Sequence, residues 1–305
     1  MKGLIIKNAY YNAPQLNYQV NSIKTELEKL GVCVDIFENS YNIFIDKNCT
    51  LNSKYIKYDF CVFLDKDKYL ARMIESLGIK TFNPQKSIEV CDDKMLTYLE
   101  LLNSGIKVPK TISAPLCFTK DSRVSKESVD SIISVLSLPL IAKKSFSSLG
   151  KGVYLIKTAE ELEDFINKNP FEPKIYQEFI SSSYGKDVRI ICIGKKFYSA
   201  MLRYSDDDFR SNSALGGNAK QIDPPAEFIE VAEKVASILN LDYMGIDLLF
   251  GKDGEPVLCE VNSNAYFTVM DEVCGVNVAA KYAEYIVDNI KNLKEKLWFQ
   301  IALKI

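Results

Sequence analysis

Residues 243–262 read YMGIDLLFGKDGEPVLCEVN. Two apolar runs flank Gly251–Gly254, the signal of a β-hairpin with a short glycine-containing loop. Acidic and amide residues interrupt both runs: Asp247 in the first, Glu260 and Asn262 in the second. Side chains alternate across a strand, so Glu260 and Asn262 share one face while Val261 points to the other. If Gly251–Gly254 forms the loop, Phe250 pairs with Glu255 and Asp247 lies opposite Leu258. This register predicts Asp247 on the face of Glu260, one diagonal step away, and a one-residue slip or a bulge would undo it. Three oxygen donors on two rigid strands suit a hard cation such as Mg²⁺, which completes its shell with water and phosphates. The alternative is a hairpin whose solvent face is merely polar. The chain contains no histidine, which removes the commonest zinc and iron ligand.

The 305 residues are enough for two or three domains. Hydrophobic residues make up 47% and charged residues 26%, as in an ordinary globular protein. A formal net charge of −2 leaves no basic excess for nucleic acid or an anionic membrane. No apolar run approaches a membrane span, and the start is a strand-like Leu4-Ile5-Ile6 rather than a signal peptide. The eight cysteines are scattered without a Cys-x-x-Cys pair. Cys33, Cys61, Cys192 and Cys259 sit in apolar strands, predicting reduced core thiols of a cytoplasmic protein.

Working back from the hairpin, residues 1–86 alternate strand and helix. Strands are expected at Gly3–Lys7, Val32–Phe37, Asp59–Leu64 and Ile79–Phe82, with helices at Leu16–Leu30 and Tyr69–Leu77. Such alternation predicts a parallel, Rossmann-like layer, although no Gly-x-Gly-x-x-Gly follows the first strand. Asn83-Pro84 marks a boundary, and Ser87 is placed to cap a helix running to about Ser104. Residues 87–180 form a second unit around the strand ending in Lys143 and Lys144, the loop SFSSLGKG (145–152) and the strand Val153–Ile156. Backbone N–H groups of Ser/Gly loops can cradle phosphate oxygens while a lysine supplies charge; a solvated turn is the alternative. Helix Ala159–Asn167 and strand Lys174–Ile180 complete it. Residues 181–305 turn antiparallel, with strands Val188–Ile193 and Phe197–Tyr204 carrying Arg189 and Arg203. Helix Glu227–Leu239, the hairpin and helix Val278–Ile290 follow. The tail Leu293–Ile305, with Trp298, is expected to pack or to meet a partner subunit, so a homo-oligomer is open.

The order of these pieces resembles the ATP-grasp ligases, most of all the ribosomal-S6-modifying (RimK-like) glutamate ligases. The resemblance runs from about Asn83 to Asn264 and rests on Lys94, Lys143 before the Ser/Gly loop, Gln177-Glu178-Phe179-Ile180, Asp187-Val188-Arg189, Arg203, Asp208 to Asn212, Gly216-Gly217, Asp247 and Glu260-Val261-Asn262. It implies an α/β and α+β ATP-grasp fold, with an N-terminal Rossmann-like domain followed by two α+β lobes that clamp ATP. It implies that Lys94 and Lys143 reach ATP phosphates, covered by a lid with Ser147, Ser148, Gly150 and Gly152. Gln177–Ile180 would form the hinge against adenine, with Glu178 and the Ile180 backbone as hydrogen-bond partners, and Asp187 would sit near the ribose. Asp247, Glu260 and Asn262 would hold Mg²⁺ (or Mn²⁺). Arg189, Arg203, Arg210 and Asn212 would surround the transferred phosphoryl group.

The implied activity is ATP-dependent joining of a carboxylate to an amine through an acyl-phosphate, with small-molecule or peptide substrates. Such chemistry needs positioning and charge neutralisation more than a protein nucleophile. The relatives' Ser-x-Pro-Gly turn after the metal-side asparagine is replaced here by Ser263-Asn264-Ala265-Tyr266-Phe267, a departure on the acceptor side. A small-molecule kinase and a non-catalytic ATP-binding module are the competing readings.

Overall fold

The computed structural model describes residues 1–39, 43–53, 57–119, 122–147, 150–211 and 217–302. Chain order begins with β1 (Lys2–Asn8), α1 (Pro14–Lys29), β2 (Cys33–Asn39), β3 (Ile43–Ile45), β4 (Leu51–Ser53), β5 (Phe60–Leu64), α2 (Lys68–Ser76) and β6 (Lys80–Phe82). β2-β1-β5-β6 form a parallel sheet. β5, FCVFL, is buried along its whole length, as expected of a parallel strand covered on both faces. Asp67 starts α2 by accepting hydrogen bonds from the Tyr69 and Leu70 amides. β3 and β4 form a small antiparallel pair apart from that sheet.

Next come α3 (Gln85–Asp92), α4 (Lys94–Glu100), β7 (Thr111–Ser113), α5 (Lys126–Leu136), β8 (Leu140–Lys144), β9 (Val153–Ile156), α6 (Ala159–Lys168) and β10 (Lys174–Glu178). The single helix expected from Ser87 is two. Ser87 lies inside α3, and the chain breaks at Asp93, whose carboxylate accepts from the Met95 and Leu96 amides. An aspartate that can bond backbone amides ahead of it competes with helix continuation. β7-β10-β8-β9 make an antiparallel sheet.

The remaining elements are β11 (Lys186–Ile193), β12 (Lys196–Tyr204), β13 (Asn218–Gln221), α7 (Ala226–Ile238), β14 (Tyr243–Phe250), β15 (Pro256–Asn262), α8 (Thr268–Cys274) and α9 (Val278–Ala302). The third sheet, β13-β12-β11-β14-β15, is antiparallel throughout. The segment expected as a tail after Ile290 continues α9 as far as Ala302.

Among the described residues four cores hold these layers, one of them formed by Leu4, Ile6, Cys61 and Phe63 of the parallel sheet with Leu70 and Ile74 of α2. Ile5, Val20, Ile23 and Phe60 share one with Tyr243, Phe267, Tyr282 and Ile286, so α1 and α9 bind the parallel sheet to the five-stranded one. Val90, Tyr98 and Leu101 of the α3–α4 segment pack on Ile190, Ile246 and Leu258 of the five-stranded sheet. Leu140, Ala142, Ile156, Leu162 and Tyr176 form a separate core under α5 and α6. Asn83, read as a boundary, is buried and ties the layers together. Its amide donates to the Tyr243 and Ser263 carbonyls at 2.7 and 2.8 Å, and its oxygen accepts from the Asp242 and Tyr243 amides at 2.6 and 2.8 Å. Of the strand cysteines, Cys61 and Cys192 are buried, whereas Cys33 is exposed at the start of its strand. Among the described residues, no helix is long and apolar enough to cross a membrane.

Candidate active site

The 243–262 stretch is the expected hairpin in a different register. Phe250 pairs with Pro256 and Leu248 with Leu258; a bulge then leaves Cys259 without a partner, and Asp247 faces Glu260 directly. Relative to the expected pairing, the loop is longer by one residue and the bulge adds another. Because the side-chain period is two, these displacements cancel and the two carboxylates share a face. Asn262 sits opposite Gly245, two residues further along the same face.

Cross-strand pairing also builds the arginine network beside them. Arg189 on β11 is directly opposite Asp247 on β14, and Asp187 opposite Arg203 on β12. Arg189 makes a fork to Asp247, through Nε to Oδ1 and from Nη2 to Oδ2 at 2.7 Å. Arg203 makes a second fork to Asp187, with Nε–Oδ1 of 2.7 Å and Nη2–Oδ2 of 2.5 Å, and its Nη2 lies 2.9 Å from Asp247 Oδ2. Burial alone would push the Asp247 carboxyl up. The two guanidiniums outweigh it and hold the group below the usual carboxylate range. Such planar bidentate pairing is what arginine does and lysine cannot.

Lys94, the first residue of α4, reaches across with Nζ 3.3 Å from Glu260 Oε1 and 2.8 Å from the Ser147 carbonyl. Lys143 at the end of β8 is buried with Nζ 3.7 Å from Cys259 Sγ. Burial opposes its charge, but Cys259, Tyr98 and Glu260 prevail and raise its pKa above the ordinary lysine value. Arg210 forks to Asp208, Nε–Oδ1 3.0 Å and Nη2–Oδ2 2.7 Å, and its Nη1 donates to the Gly150 carbonyl at 3.1 Å. Lys94 and Arg210 thus hold the two ends of the Ser/Gly loop. At its foot, a Cβ on Gly152 would come within 2.7 Å of Ser147 Cβ.

The residues expected to form the hinge lie on β10 and just beyond. Gln177 is buried, donates to Thr111 Oγ1 at 2.8 Å and leaves its own Oε1 without a partner. Glu178 Oε1 accepts from the Lys110 amide at 2.8 Å. Phe179 packs edge-on against Tyr184 and Phe209, and Ile180 precedes the 3-10 turn Ser181–Ser183. Asp187 spends both oxygens on Arg203. Ser148 and Asn212 lie outside the described residues. Lys94, Lys143, Glu260, Asp247, Arg189 and Arg203 are therefore linked around the bulge, and Gln177 reaches the same cluster through the Tyr98 side chain. Two neighbours of the site escaped the sequence reading. Cys259, expected in the core, is only partly buried, and Tyr98, four residues after Lys94 on one helix face, donates to the Cys259 carbonyl at 2.8 Å. That helical spacing was the available signal.

Two carboxylates and an amide share one strand face, the donor types that a hard divalent cation takes, and Arg189 and Arg203 bond both oxygens of Asp247. Among the described residues, no three His, Cys, Asp or Glu side chains gather as a metal cage, so the third protein donor would be the amide of Asn262.

Gly185 is the pivot that sets the Arg210 loop. It has φ +62°, and a Cβ there would stand 2.3 Å from the Ser205 carbonyl oxygen and 2.9 Å from that of Asp208. Gly185→Ala is expected to cost about 1–3 kcal/mol, because both the backbone angle and the neighbouring carbonyls oppose it. An unaltered unfolding midpoint in urea would show that this approach is not tight.

A model of the RimK-like ATP-grasp domain matches residues 91–286. N-acetylaspartylglutamate synthase A of Homo sapiens is 31% identical over 230 residues, 75% of this chain and 57% of that protein. Glutamate–LysW ligase ArgX of Sulfurisphaera tokodaii is 31% identical over 228 residues, 72% of this chain and 77% of the relative. The chain spans little more than half the length of the human synthase. The crystal structure of D-alanine–D-alanine ligase from Bacillus anthracis complexed with ATP has the same fold, with a TM-score of 0.73 at 18% identity, covering 97% of this chain and 99% of that one. With well over half of its residues inside the match, and the carboxylate pair and its cations within that range, this chain belongs to the RimK-like ATP-grasp family.

Proposed function

We propose that the protein is an ATP-dependent carboxylate–amine ligase with an amino acid as one substrate. A substrate carboxylate oxygen attacks the γ-phosphorus of ATP, giving an acyl-phosphate and ADP. The amine nitrogen then attacks the acyl carbon, phosphate leaves, and the amine gives up its proton. The observation that carries this reading is the Asp247–Glu260 cross-strand pair ringed by Lys94, Lys143, Arg189 and Arg203. Lysines and arginines there neutralise phosphate charge and align the transfer. Mg²⁺ or Mn²⁺ held by Asp247, Glu260 and Asn262 would supply further charge neutralisation. The Ser/Gly loop, anchored by Lys94 and Arg210, excludes water that would hydrolyse the acyl-phosphate.

In this reading residues 1–86 form a Rossmann-like unit that helps select substrate, 87–180 supply lid and hinge, and 181–305 the metal-side sheet. ArgX is named as a glutamate ligase, and amino-acid, small-molecule or peptide substrates follow for this chain by analogy. Eight free thiols support a reducing compartment, the cytoplasm.

The test supplies Mg-ATP, hydroxylamine in place of the amine, and a panel of carboxylic acids that includes glutamate. A hydroxamate formed in step with ADP is the expected result and identifies the activated acid. ADP release with an alcohol substrate, and no hydroxamate from any acid, would replace this reading with a kinase.

A further inference from the structure

We propose that Tyr98 is a positioning residue for the metal-side carboxylate, its hydroxyl holding the bulge at Cys259 that aims Glu260 at Asp247. This rests on the reading of Glu260 as a metal ligand. The bulge decides the geometry of the site. Without it, continued pairing from Leu248–Leu258 would set Cys259 opposite Asp247 and Glu260 opposite Ile246, on the wrong face. A bulged residue has no ladder partner, so its backbone groups must be satisfied from outside the hairpin; beside it the Leu258 amide donates to the Lys107 carbonyl at 2.8 Å.

Tyr98 is built for that task. It is 6% exposed and packed in the same core as Leu258 and Val261, which flank the bulge. Its hydroxyl donates to the Cys259 carbonyl at 2.8 Å. Lys94 and Tyr98 are one helical turn apart on α4, and they contact consecutive residues of β15, Glu260 and Cys259. Asp93 caps that helix at its first turn, with the Met95 amide 2.9 Å from Oδ1. A capped, core-packed helix therefore carries both the cation that touches the carboxylate and the hydroxyl that sets its backbone. Groups that orient metal ligands from behind are worth about 10–100-fold in metal affinity.

The test is Mn²⁺ binding to the full chain, read by electron paramagnetic resonance with an ATP analogue that cannot transfer its γ-phosphoryl group. Tyr98→Phe keeps the ring in the core and removes the hydroxyl, with its hydrogen bond to the Cys259 carbonyl and its contact with Gln177. It is expected to weaken Mn²⁺ binding about tenfold, with a smaller change in analogue binding without metal. Glu260→Gln serves as the reference and should weaken Mn²⁺ binding at least as much. Wild-type Mn²⁺ affinity in Tyr98→Phe beside a weakened Glu260→Gln would overturn the positioning role, even if the tyrosine variant unfolds earlier in urea. Wild-type affinity in Glu260→Gln would overturn the metal reading itself, and the proposal with it.

Discussion

Arg203→Met should destabilise the protein by about 3–5 kcal/mol, the range for removing one member of a buried ion pair. Arg203 is 4% exposed, and the aspartate it forks to, Asp187, is 6% exposed. Methionine fills much of the space but leaves Asp187 buried without its two charge-assisted hydrogen bonds. Asp247 loses one of its two arginines and keeps Arg189. The double variant Arg203→Met/Asp187→Leu should recover most of the loss, because no isolated charge then remains. Arg203→Lys should fall between, since an ammonium keeps the charge without the fork. The readout is the urea midpoint of all three variants. A single variant as stable as the wild type would show that the network contributes nothing to folding and that the arginine is held for substrate alone.

Glu260→Gln should have the opposite profile, with turnover lost and the fold kept. Glu260 is half-buried, and its ion pair among the described residues is with Lys94, which retains the Ser147 carbonyl as partner. Losing that pair changes little in stability. The substitution removes one of two anionic donors from the hairpin face. Even residues that only support metal ligands cost about 10–100-fold when replaced, so acyl-phosphate formation should fall by about 100-fold or more. Hydroxamate production at saturating Mg-ATP measures it. A loss smaller than about threefold, against that expectation, would remove Glu260 from the metal site. The two predictions thus separate Arg203 from Glu260: the first variant should read out in stability and the second in turnover.

Much of the site was legible because its pieces are local patterns. Asp247, Glu260 and Asn262 stand out as polar residues inside apolar strands, and Lys143 ends a strand that opens into a Ser/Gly loop. Other features left no local trace. The break at Asp93 turns on a side chain bonding backbone amides rather than on hydrophobic period, which runs through it. Asn83 looks like a turn residue, and only its four hydrogen bonds to residues 159 to 180 positions away reveal a brace. Asp187, assigned to the ribose by resemblance, is bound to Arg203 through strand pairing that no single segment shows.

What the amino-acid order determined by itself was the menu of elements and which residue types each strand presents, because alternation and capping act over a few residues. Tertiary structure alone decided the register of β14 on β15. The longer loop and the Cys259 bulge restore the shared face of Asp247 and Glu260, and the bulge is stable where α4 packs Tyr98 against it. A strand's facing is two-valued and each one-residue shift reverses it. The choice is therefore made by the sum of distant contacts, here a helix about 160 residues earlier in the chain.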